Sequence, residues 1–324
     1  MCKRLKNLLN KKNACWLVLI AGSYGLISLL ISAGVINNVY LTVLMTIGIN
    51  IILAISLNLI IGVTGQFSLG HAGFMIIGAY CAGVAVKQFS ASLGGILFGM
   101  LIGIVISGAV ALIVAIPTLR LRGDYLAIAT LGFGEIIRII ILNMKITNGA
   151  AGLILPKLIG WQVIFAAVVI CTIIILNFCR SAQGRACISV REDEIAAEAM
   201  GINTTKYKIM AFVLGAMIAS VAGALYAGAF YVIKPEMFTF NKSIDILVLV
   251  VFGGMGSFTG SFIAAGVIGV LNTVLQQFSD IRMILYGLML VGIMIFRPSG
   301  LLGTKEFTFS SLFERLGKRK EARG

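Results

Sequence analysis

The chain has 324 residues, of which 59% are hydrophobic and 12% charged, and a mean hydropathy of +1.04. A soluble domain carries about 25% charged residues, so the composition excludes a soluble globular fold and describes an integral membrane protein. The formal charge of +14 does not point to nucleic acid, because the excess is gathered at the ends, at Lys3, Arg4, Lys6, Lys11 and Lys12 and at Arg315, Lys318, Arg319, Lys320 and Arg323; charge placed this way reads as membrane topology.

Residues 1–14 form a basic segment ahead of the membrane domain, which runs from 15 to 297, and residues 298–324 form a basic tail. Between Lys12 and Lys87 there is no Lys, Arg, Asp or Glu, room for about three spans of roughly 20 residues each. Only helices or closed barrels satisfy the backbone in lipid, and continuous apolar runs without period-two alternation select helices. The expected fold is therefore all-α. Apolar windows place spans at 15–36, 39–62, 67–86, 93–116, 125–144, 159–178 and 209–231, then a long stretch at 244–276 and a last one at 281–296. Ser32 and Gly34 would suit cleavage of a signal peptide, but the first apolar run exceeds the roughly 7 to 15 residues usual for one.

Basic residues at both ends predict cytoplasmic termini, which requires an even number of crossings. The stretch at 244–276 would be about 50 Å long as one helix, too long for a core of roughly 30 Å. Gly253, Gly254, Gly256 and Ser257 interrupt it, so it is expected to cross twice as two short helices, giving about ten spans. Spans 2 to 5 then begin outside and spans 7 to 10 inside, the arrangement of an inverted repeat. Arg120, Arg122 and the polar loop at 179–208 fall inside, while Lys145, Lys157, Lys234 and Lys242 fall outside.

Three segments carry chemistry. The third span opens on Gly65-Gln66-Phe67-Ser68-Leu69-Gly70-His71-Ala72-Gly73-Phe74. Glycine at this density serves close helix packing or a broken helix whose polar groups, Gln66, Ser68 and His71, line a path through the membrane. In the fifth span Glu135 and Arg138 are three apart, on one helix face. Charges at that depth cost at least a few kcal/mol each, which a structural ion pair or a place on the translocation path would explain.

The polar loop holds Arg191, Glu192, Asp193, Glu194 and Glu198, thus four of the chain's 12 acidic residues. A helical core from Arg191 to Met200 is expected, closed by Gly201 where a left-handed helix end favours glycine. By charge alone this is a solvated surface helix or a docking surface. The six cysteines are scattered without a Cys-x-x-Cys pair, which predicts neither disulfides nor a metal site. No Gly-x-x-x-x-Gly-Lys-Ser/Thr sequence is present, so the chain is expected to hold no nucleotide of its own and to be no enzyme.

Glu194-Ile-Ala-Ala-Glu198-Ala-Met-Gly201 resembles the docking loop of ABC importer permeases, an Ala-rich helix closed by glycine. Together with the glycine block, Gly123-Asp124-Tyr125-Leu126-Ala127-Ile128-Ala129-Thr130-Leu131 and the closing Arg297-Pro298-Ser299-Gly300-Leu301-Leu302-Gly303, it is similar to the M-type permease subunits of branched-chain amino-acid ABC importers, over residues 40 to 303. The resemblance implies a type II importer-like membrane domain, ATPase coupling through Arg191, Glu192, Asp193, Glu194, Glu198 and Gly201, and no cofactor beyond ATP held by partner subunits. The implied partners are a second, H-type permease, two ATPase subunits and an extracytoplasmic substrate-binding protein. An importer of urea or short amides and an ion-coupled secondary transporter are the alternatives. One departure is that Thr147-Asn148-Gly149-Ala150-Ala151-Gly152-Leu153 stands where the family usually has Thr-Gly-Gly-x-Asn-Gly-Leu, in a short external loop.

Overall fold

The computed structural model describes residues 18, 20–34, 37–119, 121, 123–274, 287–288, 291–292, 300–301 and 303. A short apolar helix α1, Ile20–Ser32, precedes α2 (Asn38–Asn58), which ends in a π-helical turn, Leu59–Val63. After the non-helical residues 65–70 come α3 (His71–Gln88), α4 (Leu93–Thr118), α5 (Asp124–Asn143) and α6 (Trp161–Arg180). The polar loop contributes α7 (Ala182–Glu192) and α8 (Glu194–Ala199). Then follow α9 (Thr204–Ala229), α10 (Phe240–Gly253) and α11 (Phe258–Val274). Nine of the ten expected spans thus have a helix among the described residues, and the tenth, at 281–296, falls almost wholly outside them.

The helices α3, α4 and α9 pack most extensively on one another, and α2 lies against α6, α9, α10 and α11. Within their most apolar windows α2 and α9 are 72% and 61% buried, but α4, α5 and α6 only 28%, 22% and 22%, so the latter three turn most of their surface to the surroundings. Lipid offers helices no hydrophobic reason to associate, and close backbone approach through small residues replaces it. Here Gly78 lies against the backbone of Ser220, Gly223 against that of Met75, and Gly103 beside Gly78. A Cβ at Gly78 or Gly223 would strike the facing backbone.

The expected break in the eighth stretch occurs at residues 254–257, with Gly254 at φ +111° and Gly256 at φ +96°. At 14 residues, α10 is about 21 Å long, shorter than the hydrocarbon core, and α11 is described over 17 residues, to Val274. One expectation is corrected. The helix expected over Arg191 to Met200 is divided at Asp193, whose carboxylate caps α8; Asp competes with the helix by bonding local amides and so favours the start of a new one. Lys242, expected on the outer side, is the third residue of α10. The only strands among the described residues are Leu153–Ile154 (β1) and Val232–Ile233 (β2), a two-residue antiparallel pair between loops with Leu153 opposite Ile233.

Candidate functional site

The polar loop is held by its own chemistry. Ser181 caps α7 by accepting from the Gly184 amide at 3.2 Å, and Asp193 Oδ1 accepts from the Ile195 and Ala196 amides at 2.9 and 3.0 Å. At the far end of α8, Gly201 at φ +82° donates to Glu198 O and Ile202 donates to Ala197 O, the paired bonds of a Schellman ending. The two glutamates face α9. Glu194 Oε1 pairs with Lys208 Nζ at 2.5 Å and Glu198 Oε1 accepts from Thr204 Oγ1 at 2.8 Å. What faces away from the rest of the chain is Glu192 with apolar Ile188, Ile195 and Met200, the last two 78% and 82% exposed. Beneath, Cys187 is buried, which pushes its thiol up to about 11 despite a backbone hydrogen bond.

Arg191, at the end of α7, donates to Gly62 O in the π turn of α2. Around this contact Asn58 donates to Ser257 O at 2.9 Å and Ser261 Oγ at 3.0 Å and accepts from the Gly256 amide at 2.8 Å. Leu301 donates to Phe252 O at 2.9 Å, and Gly300 sits against Gly254. The loop, the end of α2, the α10–α11 break and residues of the closing Pro-Ser-Gly-Leu motif therefore meet at one junction. Arg191 alone among the predicted loop residues reaches into it.

The structure buries Gln66, Ser68 and His71 at 3%, 2% and 1% exposure. Gln66 donates to Lys208 O at 3.1 Å and His71 Nε2 pairs with Ser56 Oγ at 2.7 Å. Gln66 Oε1, Ser68 Oγ and His71 Nδ1 find no partner among the described residues. The glycines beside them pack closely, Gly70 against the Thr130 backbone and Gly73 against Gly134. The segment is thus a packing element whose first six residues, 65–70, are non-helical. Glu135 and Arg138 do pair, at 2.7 Å, and Glu135 Oε1 also accepts from the Phe240 amide at the start of α10 at 3.2 Å.

A profile of the family described as branched-chain amino acid transport system / permease component matches residues 39–294. The chain belongs to that family. It is 37% identical to the high-affinity branched-chain amino acid transport system permease protein LivM of Salmonella typhimurium and 35% identical to LivM of Escherichia coli, each over 274 residues that cover 74% of this chain. The match spans 64% of the length of either relative. It is also 30% identical to Salmonella typhimurium LivH over 161 residues, 49% of this chain and 51% of LivH. No solved structure matches it.

The loop that departs from the family's usual sequence is tied down within the chain: Thr147 donates to Ile141 O at 2.5 Å, and Asn148, at φ +61°, donates to Gly152 O at 3.0 Å. Sequence reasoning missed one polar cluster. Asn50, Lys242, Asp245 and Asn272 line a cleft of about 310 Å³ between α2, α10 and α11. The available signal was Asp245, a carboxylate inside an apolar stretch, where an ionisable residue is a functional candidate by default.

Proposed function

We propose that this permease is the M-type membrane subunit of an ATP-driven, binding-protein-dependent importer of branched-chain amino acids in a bacterial cytoplasmic membrane. It pairs with an H-type permease to form the translocation pathway, two separate ATPase subunits bind the nucleotide, and an extracytoplasmic binding protein delivers the amino acid. Both termini and the loop at 179–208 face the cytoplasm. Family membership and the LivM and LivH relatives support this reading. The observation that carries the coupling role is the Arg191 contact to Gly62 O, which joins a capped surface helix pair to a membrane helix.

In this reading α8 docks in a cleft of the ATPase through Ile195, Met200 and Glu192. Glu194 and Glu198 brace α8 on α9, Asp193 and Gly201 set its two ends, and Arg191 passes its displacement to α2 and the α10–α11 break. Gln66, Ser68 and His71 border the path and exchange water with it as the assembly changes state, and Glu135 with Arg138 steadies the start of α10 beside it.

The test is ATP-driven uptake of L-leucine by the assembled complex. Glu194→Lys combined with Glu198→Lys should abolish uptake while the subunit remains inserted in the membrane, and Gly201→Val, β-branched at a positive φ, should reduce it. Ile195→Asp with Met200→Asp should release the ATPases on purification. Normal uptake by all of these variants would overturn the docking role. Uptake of urea in place of leucine would move the assignment to the amide importers, and uptake sustained by an ion gradient without ATP would move it to a secondary transporter.

A further inference from the structure

The cleft between α2, α10 and α11 brings two opposite charges, Lys242 and Asp245, into its lining. Lys242 and Asp245 are three apart on α10, on one helix face and within electrostatic reach of each other. Among the described residues the Lys242 ammonium has one hydrogen bond, to Asn50 Oδ1 at a long 3.4 Å, although an ammonium has three donors. Asn272 Oδ1, on the facing wall, is buried without a partner among the described residues. Next to these polar groups the cleft is apolar, lined by Leu249 and Ile268.

A cation, a carboxylate and two amides beside an aliphatic wall complement one class of small molecule, a zwitterionic α-amino acid with an apolar side chain. We infer that this cleft is a transient amino-acid site on the membrane pathway, in which Lys242 receives the α-carboxylate, Asp245 and Asn272 receive the α-ammonium, and Leu249 and Ile268 meet the side chain. The volume, about 310 Å³, is at the lower end of small-molecule sites, roughly 300 to 1,000 Å³. The site rests on the importer reading above.

Its position supplies a route for coupling. The helices that form the cleft are those that meet at the Arg191 junction: Asn50 and Asn58 are eight residues apart on α2, about 12 Å along the axis. On α11, Ser261 bonds Asn58 and Asn272 lies farther along toward the cleft. A shift of the loop against Gly62 therefore acts on the same three helices that hold the amino acid.

Thr46, also in the cleft wall, provides a probe. In the complex reconstituted into phosphatidylglycerol nanodiscs, which lack ammonium lipids, Thr46→Cys should react with an aqueous maleimide, and millimolar L-leucine should slow that reaction where N-acetyl-leucine does not. Losing one charged hydrogen bond weakens binding about tenfold or more, so Asp245→Asn and Lys242→Gln should raise the protecting concentration by that factor. Lys242→Arg should retain protection, and ATPase subunits should co-purify undiminished with every variant, which separates lost binding from misfolding. Absence of leucine protection in a complex that does accumulate leucine overturns the site and leaves the importer reading standing. A parent complex that accumulates no amino acid with ATP overturns the importer reading and the site with it. Protection by phosphatidylethanolamine nanodiscs without leucine would assign the cleft to a lipid headgroup and overturn the amino-acid site.

Discussion

At the scale of single residues, the loop depends on Asp193, Gly201 and Arg191, each for a different reason. Asp193 satisfies two amides at the start of α8, and losing such a cap costs about 1 kcal/mol. Asp193→Ala should therefore speed hydrogen exchange at the amides of Ile195 and Ala196 several-fold while leaving α9 protected, as read by mass spectrometry. Gly201 has open space around the position of a Cβ but a φ of +82°. The cost of Gly201→Ala is thus conformational, about 1 kcal/mol, and Gly201→Asn, which tolerates that region better, should retain more uptake than alanine. Arg191 makes a charge-assisted bond, worth roughly 1.5 to 3 kcal/mol. Because Asn58 belongs to the same network, Arg191→Ala and Asn58→Ala should combine in uptake assays with an interaction energy of about 0.5 to 3 kcal/mol. Strict additivity would show that the loop and the α10–α11 break work independently.

At the scale of elements, the contact between α3 and α9 is a meeting of glycines with backbone. Gly78→Leu or Gly223→Leu would place a side chain where Ser220 or Met75 backbone already stands, and either should reduce the folded fraction in detergent on a fluorescence-monitored size-exclusion column. Gly266 on α11 is the control, since nothing lies within 4 Å of its Cβ position and alanine favours a helix by about 1 kcal/mol over glycine. Gly266→Ala should leave the elution profile unchanged or sharpen it. The glycine density of the block at 65–74 was visible in the sequence, as was the break near Gly254, because glycine signals either role by its lack of a Cβ. Which glycines face backbone was not visible, since that depends on helices distant in the chain. The same limit explains the α8 boundary: the pattern Ile195, Ala196, Ala199, Met200 has helical spacing, and the cap by Asp193 that splits it off from α7 leaves no mark on that spacing.

At the scale of the whole molecule, orientation can be tested with the exposed ends. Ile195→Cys should react only with thiol reagents supplied from the cytoplasm, and Lys157→Cys, at an exposed position between α5 and α6, only with reagents supplied from outside. Cys187 does not blur the comparison, as its thiol is pushed up to about 11 and stays protonated at neutral pH, when it is a poor nucleophile. Reaction of both positions from one side would overturn the proposed topology. The length and apolar character of the spans, the all-α class and the family resemblance were determined by the sequence itself, because lipid enforces helical hydrogen bonding and long apolar runs wherever the chain crosses it. Only the tertiary structure decided that Glu194 and Glu198 turn inward to α9, that Arg191 reaches the π turn of α2, and that Lys242 joins Asn50 and Asn272 in one cleft. Those contacts join residues up to about two hundred positions apart, and side-chain partners at such separation are chosen by how the helices pack, which hydropathy along the chain does not encode.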